Sequence, residues 1–192
     1  MKPNASEAAN FFWHCLTAAK LADDFPRNPA TNAHFQNGVR LATVCIAGRN
    51  GVQYASEAAR SIKEQSGVPW GKCGLMREHV VPVSTISGFV HEELKKPADS
   101  AQWEGLKARM ESVGITPEVL DLFAAHPRAF QVAGVVLEWT TLAWITKSEN
   151  IRFGDKAKHG GITLGKRMPK DWAPGHDRFA RYYACEIALV AI

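Results

Sequence analysis

Leu75-Met76-Arg77-Glu78-His79-Val80-Val81-Pro82-Val83 is the stretch that takes this chain out of the all-helical class. It is short, carries β-branched residues and is bounded by Gly74 and Pro82, so it reads as a strand running into a loop. A second stretch, Trp139-Thr140-Thr141-Leu142-Ala143-Trp144-Ile145-Thr146, is rich in strand formers and is expected to be a second strand. Around these two the sequence is helical. Ala8, Phe11, Phe12, Cys15, Leu16, Ala19 and Ala22 recur at the spacing of an amphipathic stripe, with Asn4 or Ser6 as cap and Pro26 and Pro29 marking the break. A second helix is expected from about Thr31 to Ala47, before the turn signal Gly48-Arg49-Asn50-Gly51, and a third from about Gln53 to Gln65. Residues 86–137 read as helical again. Ser100 can cap a helix reaching about Ser112, and Thr116-Pro117-Glu118 opens one that ends near His126-Pro127. Lys147-Ser148-Glu149-Asn150 opens another, with Ser148 as its cap, and a last helix is expected from about Asp177 to Ile187. The fold class is therefore α+β and predominantly helical.

Composition agrees with a globular chain. Of 192 residues, 46% are hydrophobic and 22% charged, enough to bury a core as one compact unit. There is no run of about 18 apolar residues, so no membrane-spanning helix is expected. Met1-Lys2-Pro3-Asn4 leads into mixed sequence with Asp23 and Asp24, and no signal peptide is expected. Cys15, Cys45, Cys73 and Cys185 are scattered without a CxxC pair, which excludes a zinc ribbon or knuckle. They read as reduced core thiols in a cytoplasmic protein. The formal net charge is only +4, but its placement is uneven. Residues 147–181 hold nine basic and four acidic groups, a net of +5 against −1 for the remainder of the chain. That is an electrostatic footprint for a polyanion.

Chemistry concentrates at Glu78-His79. On a regular strand, neighbouring side chains point to opposite faces, so the two can share a site only where the strand ends or bends, and Pro82 makes an end there expected. The block Arg77-Glu78-His79-Val80-Val81-Pro82-Val83-Ser84 resembles the opening of the HNH nuclease motif, in which an acidic residue and a histidine precede two aliphatics and a proline. Trp144-Ile145-Thr146-Lys147-Ser148-Glu149-Asn150-Ile151-Arg152 resembles its other half, a second strand entering a helix that carries an Asn or His and then a basic residue. The family is also called the His-Me finger or ββα-metal nucleases. Glu78 stands where members often have Asp or His, and Thr140-Thr141-Leu142 lacks the Asn that many carry near the second strand.

The resemblance implies a ββα-metal core over residues 71–160, interrupted by a helical insertion at about 86–137. A helical N-terminal region at 1–70 would precede it, and a basic tail at 161–192 would follow. It implies a phosphodiester hydrolase acting on DNA, with RNA as the other polyanion. His79 would be the general base, and Glu78 and Asn150 catalytic through a divalent metal, Mg²⁺ or Mn²⁺. The physical logic agrees: hydrolysis at neutral pH needs a base for water and a cation on the phosphate. An unperturbed imidazole titrates near about 6.5 and can accept a proton at pH 7. Carboxylate and amide oxygens suit a hard cation that keeps several waters. Arg77, Lys147, Arg152, Lys166, Arg167 and Lys170 would bind the phosphate backbone. Glu149, Asp155, His159 and His91 are rival ligands. A double-strand cutter wants two active sites, so a symmetric homodimer is expected. The other reading is a non-catalytic nucleic-acid-binding or regulatory protein that uses the basic C-terminal segment.

Overall fold

A computed structural model of the chain describes residues 5–24, 32–98, 103–151 and 189–192. In chain order the elements are α1 (Ala5–Asp24), α2 (Ala33–Asn50), β1 (Tyr54–Ser56), α3 (Glu57–Ser66), a 3-10 turn (Trp70–Lys72), β2 (Met76–His79), α4 (Val83–Leu94), α5 (Trp103–Ser112), α6 (Pro117–Ala125), α7 (Pro127–Trp139), β3 (Leu142–Ile145) and β4 (Leu189–Ala191). The protein is mostly helical with one small mixed sheet, an α+β chain as the two strand-like stretches indicated. It divides into two compact units. One comprises Met1–Asn50 with Pro82–Thr140, the other Gly51–Val81 with Thr141–Ile192.

The helical unit is built on α1, which packs on α2 and α7, while α7 also packs on α4. All seven residues of the expected α1 stripe are buried. Phe11 and Phe12 meet Phe123 of α6 with ring centroids 5.7 and 5.0 Å apart, and Phe123 meets Phe130 of α7 at 5.9 Å. Burying a phenylalanine is worth about 1.5–3 kcal/mol, so this aromatic row is a main source of the unit's stability. Ser6 lies inside α1, so it is not the cap; Asn4 lies outside the described residues. The cap of α2 is Asn32, whose Oδ1 accepts from the backbone N–H groups of His34 and Phe35 at 2.8 and 3.2 Å. At the far end of α2, Gly51 takes φ +70°, a left-handed conformation that suits glycine after a helix.

The stretch read as helical over 86–137 runs from Val83 to Trp139. Thr116 stands at the N-cap of α6, as expected. Trp139 is the last residue of α7 rather than the first of a strand. Phe130, Val132, Ala133, Val136 and Leu137 continue one buried helical face, and Thr140 N–H bonds to the Val136 carbonyl at 3.0 Å. Gln131 Nε2 donates to the carbonyls of Glu93 and Lys96 at 3.3 and 3.1 Å, tying α7 to the end of α4.

In the second unit the strand order is β2-β3-β1-β4. β2 and β3 are antiparallel, with Arg77 opposite Trp144, Glu78 opposite Ala143 and His79 opposite Leu142. β1 runs parallel to β3 and antiparallel to β4. Val80, Ala143 and Ile145 form the buried cluster, with Tyr54 and Leu189 against it. Two elements depart from the sequence reading. Residues 54–56, expected inside a helix from Gln53, are strand β1. The helix starts only after Ser56, whose Oγ accepts from Ala59 N–H at 3.1 Å. β4 was not expected at all, and the helix expected over 177–187 lies outside the described residues.

Candidate functional site

Glu78 and His79 close β2, both half-buried, and the last ladder bond runs from Val80 N–H to the Thr141 carbonyl at 2.9 Å. Strand alternation puts Glu78 on the face of Met76, Ala143 and Ile145, and His79 on the face of Arg77 and Trp144. Glu78 Oε1 accepts from His79 backbone N–H at 3.1 Å, so one carboxylate oxygen is held against the strand. Pro82 then stands at the N-cap of α4, ending the strand segment as its ring dictates.

β3 leads through Thr146 into a helix at 147–151, and Asn150 N–H bonds to the Thr146 carbonyl at 3.1 Å. Half-buried Asn150 reaches β2, where Nδ2 donates to Met76 Sδ at 3.5 Å. Met76 and Glu78 are two residues apart on one face, a step of about 6.8 Å along a strand. The two sequence blocks, some sixty residues apart, thus meet in one antiparallel pair followed by a helix. Asn150 arrives on the face of Glu78, not of His79.

The start of that helix is fixed by a reciprocal cap. Thr146 Oγ1 accepts from Glu149 N–H at 3.2 Å, and Glu149 Oε2 accepts from Thr146 N–H at 2.8 Å. Thr146, not Ser148, is therefore the capping residue. Its signature, Thr-x-x-Glu, stands openly in the sequence at Thr146 and Glu149, while Ser148 lies within the helix. The same Oε2 accepts from Ser56 Oγ at 2.7 Å, and Glu149 is buried. A carboxylate so engaged serves the fold, with its Oε2 shared between two donors.

Arg77 and Lys147 are exposed, as phosphate-binding groups would be. His91 lies on α4 in the helical unit, with Nδ1 4.0 Å from Glu92 Oε1. Arg152, Lys166, Arg167, Lys170, Asp155 and His159 lie outside the described residues. The donor chemistry of Glu78 and Asn150 fits a hard divalent cation, yet among the described residues no group of three or more His, Cys, Asp or Glu could hold a metal. The described protein donors would therefore be two, with water for the rest.

Of the cysteines, Cys15 is a buried free thiol as expected. Cys73 is not in the core: its half-buried Sγ lies 3.3 Å from Ser66 Oγ in the 3-10 turn region. A feature the sequence did not announce is the stacking of Trp70 on Trp144, because two tryptophans 74 residues apart carry no local pattern. Among the described residues no helix is long and apolar enough to cross a membrane. The chain matches no family model, no curated protein and no solved structure.

Proposed function

We propose that the protein is a metal-dependent endonuclease of the HNH type that hydrolyses phosphodiester bonds in DNA. The observation that carries this reading is the antiparallel pairing of the Glu78-His79 strand with the strand that runs directly into the Asn150 helix. Two blocks that resemble the halves of one motif are thereby adjacent, despite the helices α4 to α7 between them. In this reading His79, the last residue of β2, takes the proton from the attacking water. Glu78 and Asn150 would hold the cation from a strand end and a helix start. The bound cation would supply charge stabilisation at the scissile phosphate and the leaving oxygen. Arg77, Lys147 and the basic segment from Arg152 onward position the phosphate backbone without reading sequence. A homodimer would supply the second site that a double-strand break requires.

Plasmid DNA incubated with purified protein tests the reading. Cleavage should depend on Mg²⁺ or Mn²⁺ and stop with EDTA. A protein that only retards the plasmid, with either metal, would instead be a non-catalytic binder. One observation favours that second reading: Glu78 Oε1 is already occupied by the His79 backbone N–H, as in a purely structural strand end.

A further inference from the structure

We infer that Trp70 and Trp144 form a stacking platform for the unpaired bases of a single-stranded nucleic acid, with Arg77 and Lys72 beside it for the phosphates. This rests on the nucleic-acid reading above and adds a contact to unpaired bases. The two indoles are stacked at an interplanar angle of only 7°, with ring centroids 6.1 Å apart. The other described ring pairs are tilted by 39° to 90°. Both indoles are half-buried, so part of the stacked pair is open to solvent. A base can extend such a stack whatever its identity, since every base has a π-face. In a duplex those faces are already occupied by neighbouring bases.

The surroundings carry the right charge. Arg77 is the register partner of Trp144 on the same face of the sheet, and Lys72 follows Trp70 by two residues in the 3-10 turn. Both cations are exposed, and neither joins an ion pair among the described residues. His79 lies on this same face, opposite Leu142.

The test is binding of the full chain, in EDTA so that nothing is cut, to a labelled twelve-nucleotide oligo-dT and to a duplex of the same length, read by fluorescence anisotropy. Trp70→Leu should weaken oligo-dT binding about tenfold while changing duplex binding less than threefold, and Trp70→Phe, which keeps a ring, should restore most of the loss. Trp144→Leu should act likewise. Trp70 lies in a turn outside the sheet, so its variants decide the matter if Trp144→Leu does not fold. Unchanged oligo-dT binding in Trp70→Leu, or equal losses on both probes, would overturn the platform. Metal-dependent cleavage by the parent is scored separately. Cleavage without a tryptophan effect removes only the platform, and a tryptophan effect without cleavage removes only the nuclease.

Discussion

Glu149 Oε2 and Ser56 Oγ are 2.7 Å apart across 93 residues of sequence, and this buried bond ties the helix start after β3 to the end of β1. The same oxygen caps Thr146. Glu149→Ala would leave the Ser56 hydroxyl and the Thr146 N–H without their acceptor, so it should cost about 2–3 kcal/mol, measured by urea unfolding. Glu149→Gln keeps a carbonyl acceptor and should cost less. Equal midpoints for all three proteins would show that the bond contributes nothing.

His79→Ala should lower the cleavage rate by at least about 10²-fold, the scale of general base catalysis, while leaving DNA retention and the circular dichroism spectrum as in the parent. A folded His79→Ala protein that cuts at the parental rate would place the base elsewhere.

Asn150→Ala should shift the Mg²⁺ and Mn²⁺ titrations of cleavage to higher concentration and lower the plateau. The described side-chain bond it would lose is the 3.5 Å contact to Met76 Sδ, so stability should change by no more than about 0.5 kcal/mol. Coincident titrations would exclude Asn150 as a ligand and turn attention to Asp155 and His159.

Cys15 and Cys73 should part company under alkylation. Burial, and then the charge of Cys45, push the Cys15 thiol well above its ordinary pKa. Half-buried Cys73 lies in the turn region. Iodoacetamide at pH 8 should modify Cys73 and spare Cys15 until the protein unfolds, as peptide mass mapping would show. The raised Cys15 value also gives a pH dependence. Its contribution is fully present below the ordinary thiol pKa of about 8.5 and is lost as pH rises from there towards the folded value. Cys15→Ala should therefore flatten the alkaline decline in melting temperature, and an unchanged slope would assign that decline to other groups.

What the sequence disclosed follows from periodicity. The α1 stripe is long enough for its apolar spacing to average out exceptions, and each of its residues is buried. β1 and β4 have three residues each, too few for alternation to emerge, and Tyr54 to Ser56 sits directly against the helical sequence that follows. The end of α7 differs from the sequence expectation for a related reason: Trp139-Thr140-Thr141 favours strands locally, but the buried face from Phe130 to Leu137 carries the helix through Trp139. At the candidate site, the nearness of Glu78 to Asn150's strand-contact residue Met76 was implied by reading the two blocks as one unit. The opposite facing of Glu78 and His79 was also legible, from strand geometry alone. The tryptophan stack was not, because nothing local encodes a contact made by register.

The excursion from Pro82 to Thr140 has a kinetic corollary. It leaves β2 and returns to β3 beside the place it left, where Val80 N–H bonds to the Thr141 carbonyl. In an unstructured chain, closing a loop of that length costs about 4 kcal/mol in its length-dependent part alone. Helices form and dock faster than distant strands find one another. Refolding should therefore show helical ellipticity gained early and the Trp70–Trp144 environment, reported by near-ultraviolet signals, acquired late. Weakening the helical packing, for example with Phe123→Leu, would then slow formation of a sheet in which Phe123 takes no part.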